Sequence, residues 1–223
     1  MSRHPFDPDF TALPRSIPVF PLTGVLLLPH GKLPLNVFEP RYLHMVQDAL
    51  ASDRIIGMIQ PQEDERDGHA PALYRTGCAG RIVSFSETDD GRYLITLSGL
   101  CRFDVASEVA TTRGYRRVVP SWDAYAADMD EEQAPELDRA RLLKAVEAYF
   151  KAQGLSADWE AIKSTPDGRL LVALAMVCPF GPSEKQALLE AGDTTRRAET
   201  LIALMEMAAI TPPSADDPSR VRH

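Results

Sequence analysis

Residues 17–42, IPVFPLTGVLLLPHGKLPLNVFEPRY, constrain the fold of this chain more than any other stretch. Five prolines, Pro18, Pro21, Pro29, Pro34 and Pro40, interrupt a run of branched apolar residues. The run is apolar enough to suggest a membrane span, but proline recurs too often for an unbroken helix of about 20 residues. The segment is therefore extended and folded into a core. Residues 25–28 and 33–38 read as short strands, with each proline confined to a strand start, an edge or a turn. Pro40 suits the first turn of a helix, where its missing N–H costs nothing, and it keeps Glu39 extended. After it Tyr42, Met45, Val46 and Ala49 fall at helical spacing, with Leu43 and Leu50 widening the apolar face.

The strand-to-helix corner holds the candidate functional residues. Glu39 stands at the positive end of the helix dipole beside Arg41, so the pair reads first as a charged clamp that fixes the corner. The alternative is that the two meet a partner. Along 33–38, alternation places Leu35 and Val37 on one side and Asn36 and Phe38 on the other. Packing favours Phe38 turned inward beneath the first helix. If Leu35 and Val37 face the core instead, Phe38 becomes an exposed apolar anchor. Asn36, Phe38, Glu39 and Arg41 then form a candidate peptide-binding surface, because such surfaces combine an unpaired backbone edge, an apolar anchor and a few orienting polar groups.

Downstream, the first half continues to alternate apolar runs with turn signals. RIIGMIQ at 54–60 reads as a strand running into a polar loop, PQEDERDGHAP. Residues 80–87 and RYLITL pair across the Asp-Gly turn of TDDG. Tyr93, Ile95 and Leu97 take one side of the return strand, and Gly99 marks a bulge or bend before LCRFDV. YRRVVPSW is the last β-like stretch. From there an acidic connector, residues 123–135, separates the strands from a helical second half. Leu142, Leu143, Val146, Tyr149 and Phe150 stripe a helix that stops near Gly154. Asp167 is positioned to cap the very apolar GRLLVALAMV, which Pro179 ends and whose missing polar face predicts burial in a bundle. Ser183 and Gln186 have capping-box spacing, and Asp193 caps a last helix buried through Ala198, Leu201, Ile202, Met205 and Ala208. The tail 211–223 is expected to be disordered.

Charge and motifs exclude several functions. The net charge is −8; residues 1–120 carry 13 basic against 14 acidic residues and 121–223 carry 11 against 18. Neither half offers the basic excess that phosphate neutralisation requires, so no nucleic acid is expected as a partner. Cys78, Cys101 and Cys178 are odd in number and lack C-x-x-C spacing, which argues for buried small hydrophobes and against zinc or a disulfide framework. Gly31-Lys32 is followed by Leu33 and preceded five positions earlier by Leu26, so there is no phosphate loop. The five histidines form no H-x-x-x-H pair, and no G-x-S-x-G elbow occurs. Carboxylate pairs in ETDDG and DMDEEQ read as solvated loops. The opening residues carry neither a basic n-region nor an apolar h-region, so the expectation is a cytoplasmic protein with no membrane partner.

Four ordered segments carry a resemblance. IPVFPLTGVLLLPHGKLPLNVFEPRYLHMVQDAL, then GCAGRIVSF with DGRYLITLSGLCRFDV, then ELDRARLLKAVEAYF, then PSEKQALLEAGDTTRRAETLIALM are similar to the N-terminal substrate-binding domain of the Lon protease family. Together they span about residues 14–210, and they are most similar to free-standing members without the ATPase and protease modules. The resemblance implies an α+β fold: a PUA-like β-barrel at 14–122 with one or two packed helices, followed by a helical bundle at 135–210. It also implies no catalytic residue and no cofactor. The function it implies is non-catalytic binding of unfolded or client polypeptides, as an adaptor selecting substrates for degradation machinery. Two other readings stay open at this level: an RNA-binding PUA-like protein, opposed by the acidic charge, and a small hydrolase using carboxylates not singled out above.

Overall fold

The computed structural model describes residues 6–62, 71–130 and 136–210. The loop expected at 62–69, beyond Gln62, and the tail 211–223 lie outside them. The fold is mixed α+β, with six strands among the described residues: β1 (Ile17–Pro21), β2 (Lys32–Val37), β3 (Ile55–Ile59), β4 (Thr76–Glu87), β5 (Tyr93–Val109) and β6 (Arg116–Ser121). The helices are α1 (Pro40–Leu50), α2 (Arg139–Gln153), α3 (Trp159–Ser164), α4 (Asp167–Val177), α5 (Pro182–Glu190) and α6 (Thr194–Ile210). Strand order is β2-β5-β4-β3-β1-β6, and a further β5–β6 pairing brings five of the strands into a ring.

The prolines lie where pairing tolerates them. Pro18 stands at the start of β1, ahead of its parallel pairing with β3 (Val19↔Gly57), and Pro21 is the last residue of β1. The strand expected at 25–28 does not form. Leu26, Leu27 and Leu28 are buried in a segment that belongs to no strand. The reason is close approach: a Cβ added at Gly99 would stand 2.0 Å from the Leu28 carbonyl oxygen, so this segment lies against the bare glycine of β5 instead of laddering with a neighbour. The register shift between Ala79 and Gly80, where Cys101 and Gly99 are the partners, leaves Leu100 unpaired and bends β5 where the glycine predicts. Beyond the bend β5 reaches β6 through Asp104↔Ser121 to Val109↔Arg117, which completes the ring. Ile17, Val19, Ile55, Ile59, Cys101, Phe103 and Val118 fill the core.

The described residues fall into two compact units that do not follow chain order. One takes its described residues from 1–132 and 172–190, the other from 133–171 and 191–223. The expected boundaries, 14–122 and 135–210, run in sequence and so differ from these. In the first unit α5 joins the strands through a buried amide network. Gln186 donates to the Thr76 carbonyl (3.1 Å) and accepts from Gln60 (3.2 Å), which also donates to the Pro182 carbonyl (2.8 Å). Gln186 is therefore no cap; the Glu184 carboxylate accepts from Gly181 N–H instead (2.7 Å). In the second unit Asp138 caps α2 through Arg141 N–H (3.0 Å), and Gly154 ends it at φ 65°. Asp193 caps α6 through Arg196 N–H (2.7 Å). Asp167 is the first residue of α4 and pairs with Arg139, so it is an ion-pair partner and not the expected cap. Burial of α4 is also incomplete, since Val177 is 82% exposed.

The acidic connector is not a free linker. Residues Asp123–Met129 form a kinked 3-10 segment, and Asp128 is buried against Arg102 of β5. Its carboxylate accepts from Arg102 Nε (2.8 Å), Nη2 (2.8 Å) and backbone N–H (3.0 Å), while Arg102 Nη1 donates to the Leu189 carbonyl (3.1 Å). Burial opposes the charge on Arg102, but Asp128 overrides it and raises the guanidinium pKa.

Candidate functional site

The corner between β2 and α1 is set by Pro40 at the first helical position. Glu39 before it is extended (φ −70°, ψ 133°) and makes no side-chain cap. Its carboxylate instead accepts from Arg41 Nε at 3.0 Å. The Arg41 guanidinium lies 4.8 Å from the Tyr42 ring centroid, and Tyr42 packs on Phe20 with centroids 4.2 Å apart. The clamp reading of Glu39 and Arg41 thus has its geometry, yet both side chains stay partly open, at 44% and 37% exposure.

Phe38 does not pack beneath α1: it is 63% exposed. The physical reason is the phase of β2. Val37 is buried and Leu33 and Leu35 half-buried, so the alternate residues Lys32, Pro34, Asn36 and Phe38 face solvent. Across from Asn36, Leu94 of β5 is 45% exposed.

Glu39 and Arg41 also line a cleft of about 250 Å³. Pro21, Tyr42, Tyr115 and Arg116 help to form it, and its lining includes no cysteine, histidine or serine. Arg116 is already engaged, donating to Glu108 (3.0 Å) and to the Pro71 carbonyl (2.6 Å). Tyr115 donates to Asp48 (2.7 Å), and its pKa is raised by burial and then by that carboxylate. Each arginine at the cleft thus has an acidic partner, which suits the cleft to neutral or apolar groups and not to a free anion.

The structure therefore brings Glu39 and Arg41 together at the cleft, while Asn36 and Phe38 lie on the outer face of β2. Tyr115 and Arg116 were not singled out in the sequence, because nothing local in GYRRVV marks a cleft; only the pairing of β6 with β1 brings them there. Among the described residues no group of three or more His, Cys, Asp or Glu side chains could hold a metal ion. No described helix is long and apolar enough to cross a membrane.

This α+β arrangement matches known proteins. The model of the family described as the ATP-dependent protease La (LON) substrate-binding domain matches residues 16–207, and the chain belongs to that family. Lon protease 2 of Myxococcus xanthus is 27% identical over 195 residues, covering 86% of this chain and 24% of that protein. Lon protease 1 of Thermus thermophilus is 28% identical over 206 residues, covering 88% and 25%. The chain thus spans about a quarter of the length of these relatives. The crystal structure of a Lon N-terminal domain protein from Xanthomonas campestris superposes with a TM-score of 0.59 at 27% identity, covering 84% of this chain and 97% of that one. The N-terminal domain of a Mycobacterium avium complex Lon protease shares the fold, with a TM-score of 0.60 at 19% identity, covering 85% and 97%.

Proposed function

We propose that this protein is a non-catalytic polypeptide-binding module that acts in substrate selection for proteolysis, as an adaptor delivering unfolded or client polypeptides to degradation machinery. The observation that carries the reading is the match of residues 16–207 to a family defined by substrate binding. The surface formed by Asn36, Phe38, Glu39 and Arg41 is the contact region in this proposal. Supporting it are a large aromatic side chain left in solvent and an adjoining cleft whose charges are internally paired. The cell compartment consistent with this role is the cytoplasm.

Phe38→Ala tests the site. A side chain 63% exposed keeps only about a third of its burial free energy to lose, so stability should fall by less than about 1 kcal/mol. Capture of a reduced, carboxymethylated polypeptide should weaken several-fold. A loss of about 3–5 kcal/mol, as for a buried phenylalanine, with capture intact in the folded fraction, would remove Phe38 from the site.

A further inference from the structure

We infer that the polypeptide joins this protein as an added β-strand along the free edge of β2. This deepens the proposed function and rests on it. Among the described residues β2 is a terminal strand, paired with β5 on one side only. The phase of that pairing is given by one hydrogen bond and the register. Gly99 N–H donates to the Gly31 carbonyl (2.8 Å), and Lys32 stands opposite Ser98. In an antiparallel ladder this makes Lys32↔Ser98 a non-bonded pair, so Leu33, Leu35 and Val37 exchange bonds with Leu97, Ile95 and Tyr93. The other side of β5 agrees. Thr88 N–H donates to the Arg92 carbonyl (2.9 Å), which directs Leu94 and Thr96 toward Ser86 and Ser84 of β4, away from β2. Lys32, Pro34 and Asn36 therefore turn their backbone groups outward, and no hydrogen bond from a described residue closes on them.

Pro34 decides between two possible occupants of this edge. It lacks an N–H and sits where the β5 ladder asks for none. A second copy of this chain pairing β2 with β2 about a two-fold axis would bring two Pro34 residues into the new ladder. Centred on Pro34, that pairing loses both bonds of its middle pair; centred on Leu33 or Leu35, it loses one bond at each of two pairs. A foreign strand without proline loses only one. The edge thus disfavours self-pairing and still offers two donors, from Lys32 and Asn36, and three acceptors to an extended chain. Half-buried Leu33 and Leu35 would take alternate apolar side chains of that strand on one face, with Phe38 and Leu94 on the other. The partner defined by this chemistry is an extended, proline-free segment of alternating apolar residues, which a folded protein hides and an unfolded one exposes.

The test compares Asn36→Pro with Asn36→Ala. Both remove the side chain, and only proline removes the outward N–H, leaving the β5 ladder untouched. The probe is a fluorescein-labelled, lysine-flanked peptide of alternating valine and threonine, followed by polarisation. Asn36→Pro should bind at least about tenfold more weakly than Asn36→Ala, since it strands a carbonyl of the added strand. In the unaltered protein, amide hydrogen exchange at Lys32 and Asn36 should slow on saturation with the peptide, a measurement that stands even if Asn36→Pro fails to fold. Equal binding by both variants with unchanged exchange, while Phe38→Ala still weakens capture, overturns strand addition and leaves polypeptide binding standing. No saturable binding of this peptide or of carboxymethylated polypeptide overturns both. A concentration-dependent dimer that protects the same amides without peptide overturns the assignment of the edge to a foreign chain.

Discussion

Replacing Asp128 by alanine should be among the most damaging single changes to the strand-containing unit. The side chains of Arg102 and Asp128 are 6% and 9% exposed, so the substitution leaves a buried guanidinium with its carboxylate removed. Three hydrogen bonds from Arg102 to that carboxylate are lost at once. At about 1.5–3 kcal/mol for each bond to a charged group their sum exceeds the net effect, because Arg102 keeps the Leu189 carbonyl and the Tyr125 ring at 4.8 Å. Breaking a buried pair by removing one partner costs about 3–5 kcal/mol. For a chain of this size that lowers the melting temperature by roughly 6–20 °C. The double variant Arg102→Met/Asp128→Leu replaces both charges by apolar groups but takes the partners from the residue 102 N–H and the Leu189 carbonyl, so it should recover part of that loss and not all of it. Urea unfolding in a Trp159→Phe background makes Trp122 the sole tryptophan reporter, and Trp122 adjoins both Phe103 (5.7 Å between centroids) and the segment that carries Asp128. A loss below about 1 kcal/mol for Asp128→Ala, or no recovery in the double variant, would refute the view that this pair docks the acidic segment onto β5.

Cys101 and Cys178 are pushed up to about 12 by burial, from 9.0. Native protein at pH 8 should resist iodoacetamide at both, and urea-unfolded protein should react. Because the folded thiols hold their protons to higher pH than the unfolded ones, their stabilising contribution is complete below pH 9. It should fall between pH 9 and 12 by up to about 1.4 kcal/mol per pH unit per thiol. A parent stability that runs parallel to that of Cys101→Ala/Cys178→Ala over this range would refute the assignment. Gly99→Ala forces a Cβ onto the Leu28 carbonyl and should cost about 1–3 kcal/mol or more, read by urea midpoint, with an unchanged midpoint contradicting the close approach. Asp193→Ala removes the bond to Arg196 N–H and should cost about 1 kcal/mol, with faster amide exchange in the first turn of α6.

The sequence by itself determined what depends on neighbours in the chain. Proline geometry alone locates the start of α1 at Pro40, glycine alone marks the bend at Gly99 and the end of α2 at Gly154, and a carboxylate three residues from an open N–H makes Asp193 a cap. The ordered segments also carry the family. Alternation separates Leu35 and Val37 from Asn36 and Phe38, but a period of two does not say which face is the core. Only the placement of β2 against β5, with Val37 buried, puts Phe38 in solvent. The same limit applies to Asp128, which reads locally as one more acid in a linker and becomes buried because Arg102, 26 residues earlier, needs a counter-charge. Gln186 looks like half of a capping box until Gln60 and the Thr76 carbonyl, 126 and 110 residues away, claim its amide. Local rules act over a turn of helix or a pair of strand residues. Burial and buried polar partnership are settled between segments brought together by the closing of the sheet, and the tertiary structure alone decides them.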